Sequence, residues 1–232
     1  MNNRAIRSFT PQISEACIAD LLTRLKATRF PDAETVEDWR QGLPLSYQQE
    51  LIDYWRTDYD FSRVATRLSE FDNFLTEIEG IDIHFIHKRS RHTSATPLLI
   101  THGWPGSVLE YLDVIEALTN PTAFGGTVDD AFHVVLPALP GFGFSGKPDR
   151  PGTDVPVIAN MWEQLMQRLN YTTFYAHGGD WGSIVTQAVL LQETTGCLSG
   201  HCTLPIVMPD ETTLDNLQAE EIDALPRMPS SA

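Results

Sequence analysis

Over roughly the first seventy residues, apolar positions recur every three or four places, which is the spacing of amphipathic helices. This pattern predicts a helix from Ser14 to about Ala27, a second helix with Ser46 as its N-cap, and a third from about Ser62. No cluster of catalytic side chains accompanies these helices. We therefore expect this helical region to act as a packing layer.

The apolar pattern then changes to the alternation that is typical of strands. Residues 75–79 and 81–87 alternate apolar and polar side chains on either side of Gly80, which predicts a β-hairpin. His84 and His87 fall on opposite faces of the second strand, so they are poor candidates for a shared metal site. We expect each of these histidines to be solvated.

From residue 97 onwards, predicted strands alternate with predicted helices, which favours a mainly parallel sheet. Strands are predicted at 97–101, 132–136, 171–176 and 197–207, and helices at 108–115, 158–169 and 184–191. The acidic residues 210–225 are predicted to form one more helix, and 226–232 no regular structure. The predicted fold class is α/β, with helices on both faces of the sheet and a helical region before it.

The net charge and the cysteine spacing exclude several classes of binding partner and several kinds of metal or disulfide site. The 232 residues carry a formal net charge of −15, so nucleic acid and anionic membrane surfaces would repel the protein. No apolar run approaches the roughly 20 residues of a membrane-spanning helix. The cysteines Cys17, Cys197 and Cys202 lack Cys-x-x-Cys spacing, which favours reduced thiols in a cytoplasmic protein without a metal or cofactor. On one strand, Cys197 and Cys202 would face opposite sides.

The segment from His177 to Ser183 joins a predicted strand to a predicted helix through a glycine-rich turn. In this context a Gly-x-nucleophile-x-Gly elbow presents its central side chain, here Asp180, at the top of a parallel sheet. A carboxylate with an ordinary pKa of about 3.9 is ionised at neutral pH and can attack an alkyl carbon without a base. The alternative is that Asp180 only caps the following helix.

A second turn, from His102 to Ser107, follows the first of the predicted parallel strands. An oxyanion hole requires one backbone donor after the nucleophile and one from such an earlier loop. The candidate donors are therefore the N–H groups of Trp181 and Trp104. For His102 we favour a structural role in which its ring bonds to the loop backbone.

A third segment, from Leu139 to Pro148, alternates glycines with aromatic residues. It could bend over an apolar substrate pocket lined by Phe142 or Phe144. Ordinary core packing explains these aromatic residues equally well.

Together these segments resemble the epoxide hydrolases of the α/β-hydrolase fold, specifically the microsomal-type branch. Residues from about Ile6 to Leu112 resemble the N-terminal domain of that family, and the two turns and the glycine–aromatic segment match its hydrolase core in the expected order. The resemblance divides the chain into an N-terminal region (1–90), a hydrolase core (91–209) and an acidic tail (210–232) that would begin a lid.

The resemblance implies hydrolysis of small epoxides to vicinal diols, in detoxification or in aromatic hydrocarbon catabolism. Asp180 would attack a ring carbon and form a hydroxyalkyl ester. The N–H groups of Trp104 and Trp181 would stabilise the intermediate that forms when water attacks this ester. In the family, a histidine held by a second acid activates that water, and two lid tyrosines donate to the epoxide oxygen.

The chain departs from the family pattern after Gly200-His201. The lid, the second acid and the histidine of the family belong downstream of this point, whereas the seven histidines here lie at or before position 201. We therefore expect a truncated chain that lacks the later strands and stalls at the ester. Residues 203–207 would form an exposed sheet edge that favours a homo-oligomer. The alternatives are a non-catalytic fragment or binding module and, less favoured, a haloalkane dehalogenase.

Overall fold

The computed structural model describes residues 5–206 and 217–220 of the protein. The strands are β1 (Arg7–Ser8), β2 (Asn73–Ile78), β3 (Ile81–Lys88), β4 (Thr96–Thr101), β5 (Phe132–Pro137), β6 (Phe174–Gly178) and β7 (Cys197–Cys202). The α-helices are α1 (Glu15–Lys26), α2 (Leu45–Thr57), α3 (Ser62–Ser69), α4 (Leu112–Thr119), α5 (Val155–Arg168) and α6 (Trp181–Leu190). The predicted acidic helix and the tail after it lie almost entirely outside the described residues.

Within the described residues, one seven-stranded sheet has the order β1-β2-β3-β5-β4-β6-β7. The strands β5, β4, β6 and β7 are parallel to one another, and β1, β2 and β3 form an antiparallel end in which β3 pairs antiparallel with β5. The predicted α/β class and mainly parallel sheet are confirmed. Because β2 and β3 belong to the same sheet as the core, no break in the sheet accompanies the division predicted at residue 90, which stays a prediction.

The predicted hairpin is confirmed. Ile78 pairs with Ile81, which leaves Glu79 and Gly80 as a two-residue turn. Both turn residues have positive φ angles, 52° and 80°, as a tight hairpin turn of the primed type requires.

The two histidines of this hairpin lie on opposite faces, but the prediction that they are solvated is wrong. His84 is fully buried, and its Nε2 lies 2.9 Å from Oδ1 of Asn73. His87 is half-buried, and its Nε2 lies 2.9 Å from the hydroxyl of Tyr171. Residues distant in sequence pack over both rings. The alternation of side chains along one strand cannot predict this packing, because it depends on other segments of the chain.

Helices cover both faces of the sheet, as predicted. The α5/α6 face carries one apolar cluster that includes Phe85, Leu99, Trp162, Phe174, Ala176 and Val185. The α4 face carries a second cluster that includes Leu68, Ile86, Ile100, Leu112, Ile115 and Val134. Beyond α4, this second face stays open over β6 and β7, where a cavity of about 500 Å³ is lined by residues such as Tyr111, Val114, Tyr175, His177 and His201.

The N-terminal helices form the predicted packing layer only in part. Leu25 is the buried residue of α1 and Leu68 that of α3, whereas α2 buries none of its side chains. Ser46 is not an N-cap: α2 starts one residue before it, at Leu45, and the Leu45 N–H donates to the carboxylate of Glu34 at 2.9 Å. A side chain from a preceding loop therefore supplies the acceptor that a local cap would have supplied.

Strand β7 is shorter than predicted, and its side chains point in directions that differ from the prediction. β7 ends at Cys202. The Thr203 N–H still donates to the carbonyl of Gly178 in β6, whereas the Leu204 N–H donates to Oγ of Ser183 in α6, so the chain turns away from the sheet there. The exposed edge is thus Cys197–Cys202, with Leu198 61% exposed, rather than 203–207. Position 207 itself lies outside the described residues.

An irregularity in β7 changes the direction of its side chains. The register shifts between Phe174 and Tyr175, so Leu198 is an extra residue between Cys197 and Ser199. Such a bulge reverses the alternation. Cys197 joins the α5/α6 cluster, and Sγ of Cys202 lies 3.6 Å from a carbonyl oxygen of α6. The two cysteines therefore share a face, and the prediction of opposite faces is wrong.

Candidate active site

The glycine-rich elbow connects β6 to α6 and presents Asp180. This residue has φ 52° and ψ −125°, a conformation that costs a non-glycine residue about 1–3 kcal/mol. The flanking glycine at 182 permits it, because a Cβ there would lie 2.0 Å from the carbonyl oxygen of Thr101. The sequence Gly-x-Asp-x-Gly therefore folds into a tight turn that lifts an exposed carboxylate above the sheet.

Backbone amides hold the carboxylate of Asp180 in its ionised form. The Trp104 N–H donates to Oδ1 of Asp180 at 2.8 Å. Hydrogen bonds from the amides of Trp104 and then Trp181 lower the pKa of Asp180, and they outweigh the opposing effect of burial. Asp180 occupies the N-cap position of α6, yet its side chain makes no hydrogen bond with the second or third amide of that helix, where a capping side chain would bond. The geometry thus favours the nucleophile over the capping alternative.

His102 fixes the direction of the Trp104 amide. The ring is fully buried; its Nδ1 donates to the carbonyl of Gly103 at 2.9 Å, and its Nε2 accepts from the Leu139 N–H at 3.1 Å. The carbonyl and N–H of a trans peptide point in opposite directions. Holding the Gly103 carbonyl on one side therefore turns the Trp104 N–H towards Asp180. This agrees with the structural role predicted for His102.

The protonation state of His102 suits this position. Burial lowers the pKa of His102, against the opposing effect of the Gly103 carbonyl. The ring therefore stays neutral near pH 7, with one nitrogen as donor and the other as acceptor. Protonation would place an N–H against the Leu139 N–H and would break the contact between the two loops.

An apolar cavity of about 620 Å³ opens beside the elbow. It is lined by Trp104, Leu139, Pro140, Phe142, Thr153, Asp154, Val155, Ile158, Trp181 and Val185. The predicted site residues Trp104, Trp181 and Phe142 therefore meet at this cavity. Phe144 lines a different cavity, where its ring packs at 5.5 Å against His84.

The tight turn between Phe142 and Phe144 separates the two rings. The Ser145 N–H donates to the carbonyl of Phe142, and the intervening Gly143 has φ +52°. Phe142 therefore contacts the ring of His102 at 5.5 Å, while Phe144 points away to the α4 face.

Sequence reasoning missed the wall of this cavity that α5 supplies. Val155 and Ile158 line the cavity, and Asp154 stands at its rim, where its carboxylate caps α5 by accepting from the Val157 N–H at 3.2 Å. The amphipathic pattern of α5 predicted that one face of this helix packs on the core. It did not predict a cavity wall, because that depends on the position of α5 next to the elbow. Among the described residues, no group of three or more histidine, cysteine or acidic side chains could hold a metal ion.

Comparison with protein families agrees with this geometry. A family model described as "alpha/beta hydrolase fold" matches residues 96–224, which is more than half of the chain. The chain belongs to the α/β-hydrolase fold family. A second model, "Epoxide hydrolase N terminus", matches residues 6–111.

Two individual relatives of this α/β-hydrolase carry the name epoxide hydrolase. A Stigmatella aurantiaca protein assigned to the epoxide hydrolases is 49% identical over 95% of the chain, which spans 50% of that relative. Epoxide hydrolase 1 of Oryctolagus cuniculus is 31% identical over 97% of the chain, again spanning 50% of the relative. The chain thus spans about half the length of the curated relatives it matches.

Solved structures share the fold of this α/β-hydrolase. The juvenile hormone epoxide hydrolase of the silkworm Bombyx mori superimposes with a TM-score of 0.79 at 29% identity, over 97% of this chain and 53% of that one. The epoxide hydrolase of Aspergillus niger gives a TM-score of 0.77 at 27% identity, over 97% and 60%.

Proposed function

We propose that this protein hydrolyses epoxides to vicinal diols through an ester on Asp180. The observation that carries the proposal is the ionised carboxylate on a strained elbow, with Oδ1 bound by the Trp104 N–H at 2.8 Å. One carboxylate oxygen is thereby held, and the other is left to attack.

In the first step, Oδ2 of Asp180 attacks a ring carbon. The carbon–oxygen bond of the epoxide breaks, its electron pair goes to the epoxide oxygen, and that oxygen must then gain a proton. The product is a hydroxyalkyl ester whose carbonyl oxygen is Oδ1. No base has to activate the nucleophile, because the carboxylate is already ionised.

In the second step, water attacks the ester carbon and releases a proton to solvent; the bond between that carbon and Oδ2 then breaks, and the diol leaves with Oδ2. While the tetrahedral intermediate lasts, its negative charge lies on Oδ1. This oxygen already faces the Trp104 N–H, and Trp181 is the second candidate donor. Removing one donor of this kind typically costs about 3–4 kcal/mol of transition-state stabilisation. Among the described histidines, none makes a hydrogen bond with Asp180: both ring nitrogens of His102 are occupied, and His177 bonds to His201.

The lining of the cavity supports a small, neutral, aromatic epoxide as substrate. Trp104, Phe142 and Trp181 offer aromatic surfaces, and the other walls are largely aliphatic. A role in detoxification or in aromatic hydrocarbon catabolism agrees with such a substrate, and the net charge of −15 disfavours nucleic acid as a partner.

Location and assembly are further parts of the proposal. None of the helices in the described ranges is long and apolar enough to cross a membrane. We place the protein in the cytoplasm because its exposed Cys17 and buried Cys197 are free thiols, as reducing compartments favour. Within residues 5–206, β7 is an edge strand of the sheet, and this edge supports a homo-oligomer.

Styrene oxide tests the nucleophile directly. Incubation should add the mass of one styrene oxide to the intact protein, and peptide mapping should place it on Asp180. Asp180→Asn should form no adduct. Asp154→Asn is the matched control, because it removes a carboxylate from the same cavity and should leave the adduct on Asp180.

Each other outcome has a definite meaning. An adduct on Asp154, or neither adduct nor diol, would overturn the proposal. Diol accumulation over many turnovers would support the function and contradict the expected stall at the ester. Halide release from 1-chlorobutane without any reaction of styrene oxide would instead establish the dehalogenase alternative.

A further inference from the structure

Two histidines lie side by side where strands β6 and β7 pair. His177 and His201 are register partners in this parallel pair, and their ring planes differ by only 22°, with centroids 5.0 Å apart. Nδ1 of His177 lies 2.9 Å from Nδ1 of His201 and 3.2 Å from the carbonyl oxygen of the same residue. Two imidazole nitrogens and one carbonyl oxygen therefore meet at one point of the sheet.

The hydrogen bond between the rings fixes where the protons lie. One of the two facing Nδ1 atoms carries a proton and the other accepts it, because two N–H groups cannot face each other in a hydrogen bond. The contact with the carbonyl oxygen makes His177 the donor and His201 the acceptor. If the proton of His177 moves to its other ring nitrogen, Nε2, both Nδ1 atoms offer lone pairs to a cation without the loss of a proton.

The separation of the two nitrogens suits one metal ion. An imidazole nitrogen binds a divalent transition metal at about 2.0–2.1 Å. Two such bonds at right angles place the nitrogens about 2.9 Å apart, whereas two bonds at a tetrahedral angle place them about 3.3 Å apart. The distance of 2.9 Å between the Nδ1 atoms agrees with the right angle, which is the angle in the square-planar and tetragonal sites of Cu²⁺ and Ni²⁺.

The surroundings of the pair admit a cation from solvent. His201 is exposed, the hydrogen bond between the rings is itself exposed, and both rings line the open cavity of about 500 Å³. Among the described residues that line this cavity, none is a lysine or an arginine, so no fixed positive charge opposes the ion. The net charge of −15 favours the approach of a dication. Tyr111 packs edge-on against His177, with ring centroids 5.5 Å apart, and limits the movement of this ring.

We propose that His177 and His201 bind one divalent transition-metal ion of the Cu²⁺ or Ni²⁺ type. Both Nδ1 atoms coordinate the ion, the carbonyl oxygen of His201 is the candidate third ligand, and water completes the shell. Cys202 does not contribute, because its Sγ lies 3.6 Å from the carbonyl oxygen of Ser183 in α6, on the other face of the sheet. Neither ring bonds to Asp180, so the site does not depend on the proposed reaction.

Two properties of the bound ion follow from this arrangement. Two imidazoles are fewer than the four side chains of a structural zinc site, so the ion should exchange with solvent and bind with a Kd on the order of micromolar. The ion also joins neighbouring strands. Because it binds only the folded protein, it should stabilise the edge of the sheet at β7.

Titration with Ni²⁺ alone tests the site. The full chain, prepared without a histidine tag, should bind one Ni²⁺ per molecule in isothermal titration calorimetry, and its melting temperature should rise with the Ni²⁺ concentration. Mg²⁺ should give no saturable binding, because hard cations prefer oxygen ligands. Broadening of NMR signals by Ni²⁺ should be centred on β6 and β7.

Substitutions assign the binding to the two histidines. His177→Gln and His201→Gln should each weaken Ni²⁺ binding at least tenfold, since losing even a supporting hydrogen bond of a metal ligand costs about 10–100-fold in affinity. His201→Gln is the decisive variant, because that side chain is exposed and should not be needed for folding. His92→Gln and Cys202→Ser are matched controls that remove other metal-binding side chains, and both should keep the wild-type affinity.

Three results would overturn the site. The first is the absence of saturable Ni²⁺ binding, and the second is wild-type affinity in His201→Gln. The third is a crystal soaked in Ni²⁺ in which the ion is bound elsewhere and the rings of His177 and His201 keep their hydrogen bond.

Discussion

The two faces of the sheet at strand β6 differ in how far they are covered by other elements. On its α5/α6 side, Phe174 and Ala176 are almost completely buried. On its α4 side, Tyr175 is 37% exposed and His177 lines an open cavity. The strand alternates side chains perfectly, yet only one of its faces is covered. Alternation assigns each residue to a face, whereas burial depends on which element lies across that face.

Two histidines on the α4 face repeat this contrast. His84 lies at the covered end, under Phe9 and Phe144, and burial lowers its pKa to about 4. His177 lies at the open end, where its Nδ1 is 2.9 Å from Nδ1 of His201. One imidazole is isolated from water, and the other shares its hydrogen bond with a neighbouring exposed ring. Cover by distant segments therefore sets the chemistry of each histidine.

Substitutions at adjacent positions of β6 should show the largest difference between the faces. Phe174→Ala should lower the free energy of unfolding by about 3–5 kcal/mol, because it opens a cavity in the α5/α6 cluster. Tyr175→Ala should cost less than about 1 kcal/mol, because that side chain is partly in solvent. Urea denaturation measures both. Equal losses would show that the α4 face of β6 is covered in solution.

The pH dependence of stability should distinguish the histidines. His84 has an ordinary pKa of 6.5 when unfolded and about 4 when folded. Between these values the unfolded chain binds a proton that the folded protein excludes, so stability falls as the pH decreases. A difference of about 2.5 units corresponds to roughly 3 kcal/mol.

Part of this acid loss should disappear when His84 is replaced. His84→Gln should remove its share of the loss between pH 6.5 and 4 in urea titrations, and the remainder should come from histidines such as His87, whose pKa burial also lowers to about 4. Parallel slopes for wild type and His84→Gln would contradict the burial of His84.

The smallest effect on folding is expected at the exposed edge. Leu198→Lys should change stability by less than about 0.5 kcal/mol but should reduce self-association, since a charge on an edge strand opposes pairing between sheets. Leu191→Lys is the matched control: this residue is 83% exposed but lies outside β7. Sedimentation velocity should detect dissociation only in the first variant. Identical oligomers in both would exclude β7 as the interface.

Local patterns predicted the elements that local forces determine. The hairpin at Glu79-Gly80 and the elbow at Asp180 both follow from backbone preferences within a few residues. The errors arose where distant groups intervene. Glu34 replaced the expected cap at Ser46, and a bulge at Leu198 reversed the alternation of β7. Neither a long-range acceptor nor an inserted residue leaves a periodic signal.

The sequence by itself determined that a carboxylate would stand on a glycine-flanked elbow, because the close approach at Gly182 and the strained φ at Asp180 are properties of the turn. Only the tertiary structure decided which groups meet this carboxylate. The Trp104 N–H reaches Asp180 across 76 positions of sequence, because the parallel pairing of β4 with β6 brings the two turns to one edge of the sheet. The same packing separated Phe142 from Phe144, since cavities are formed between elements and not within them.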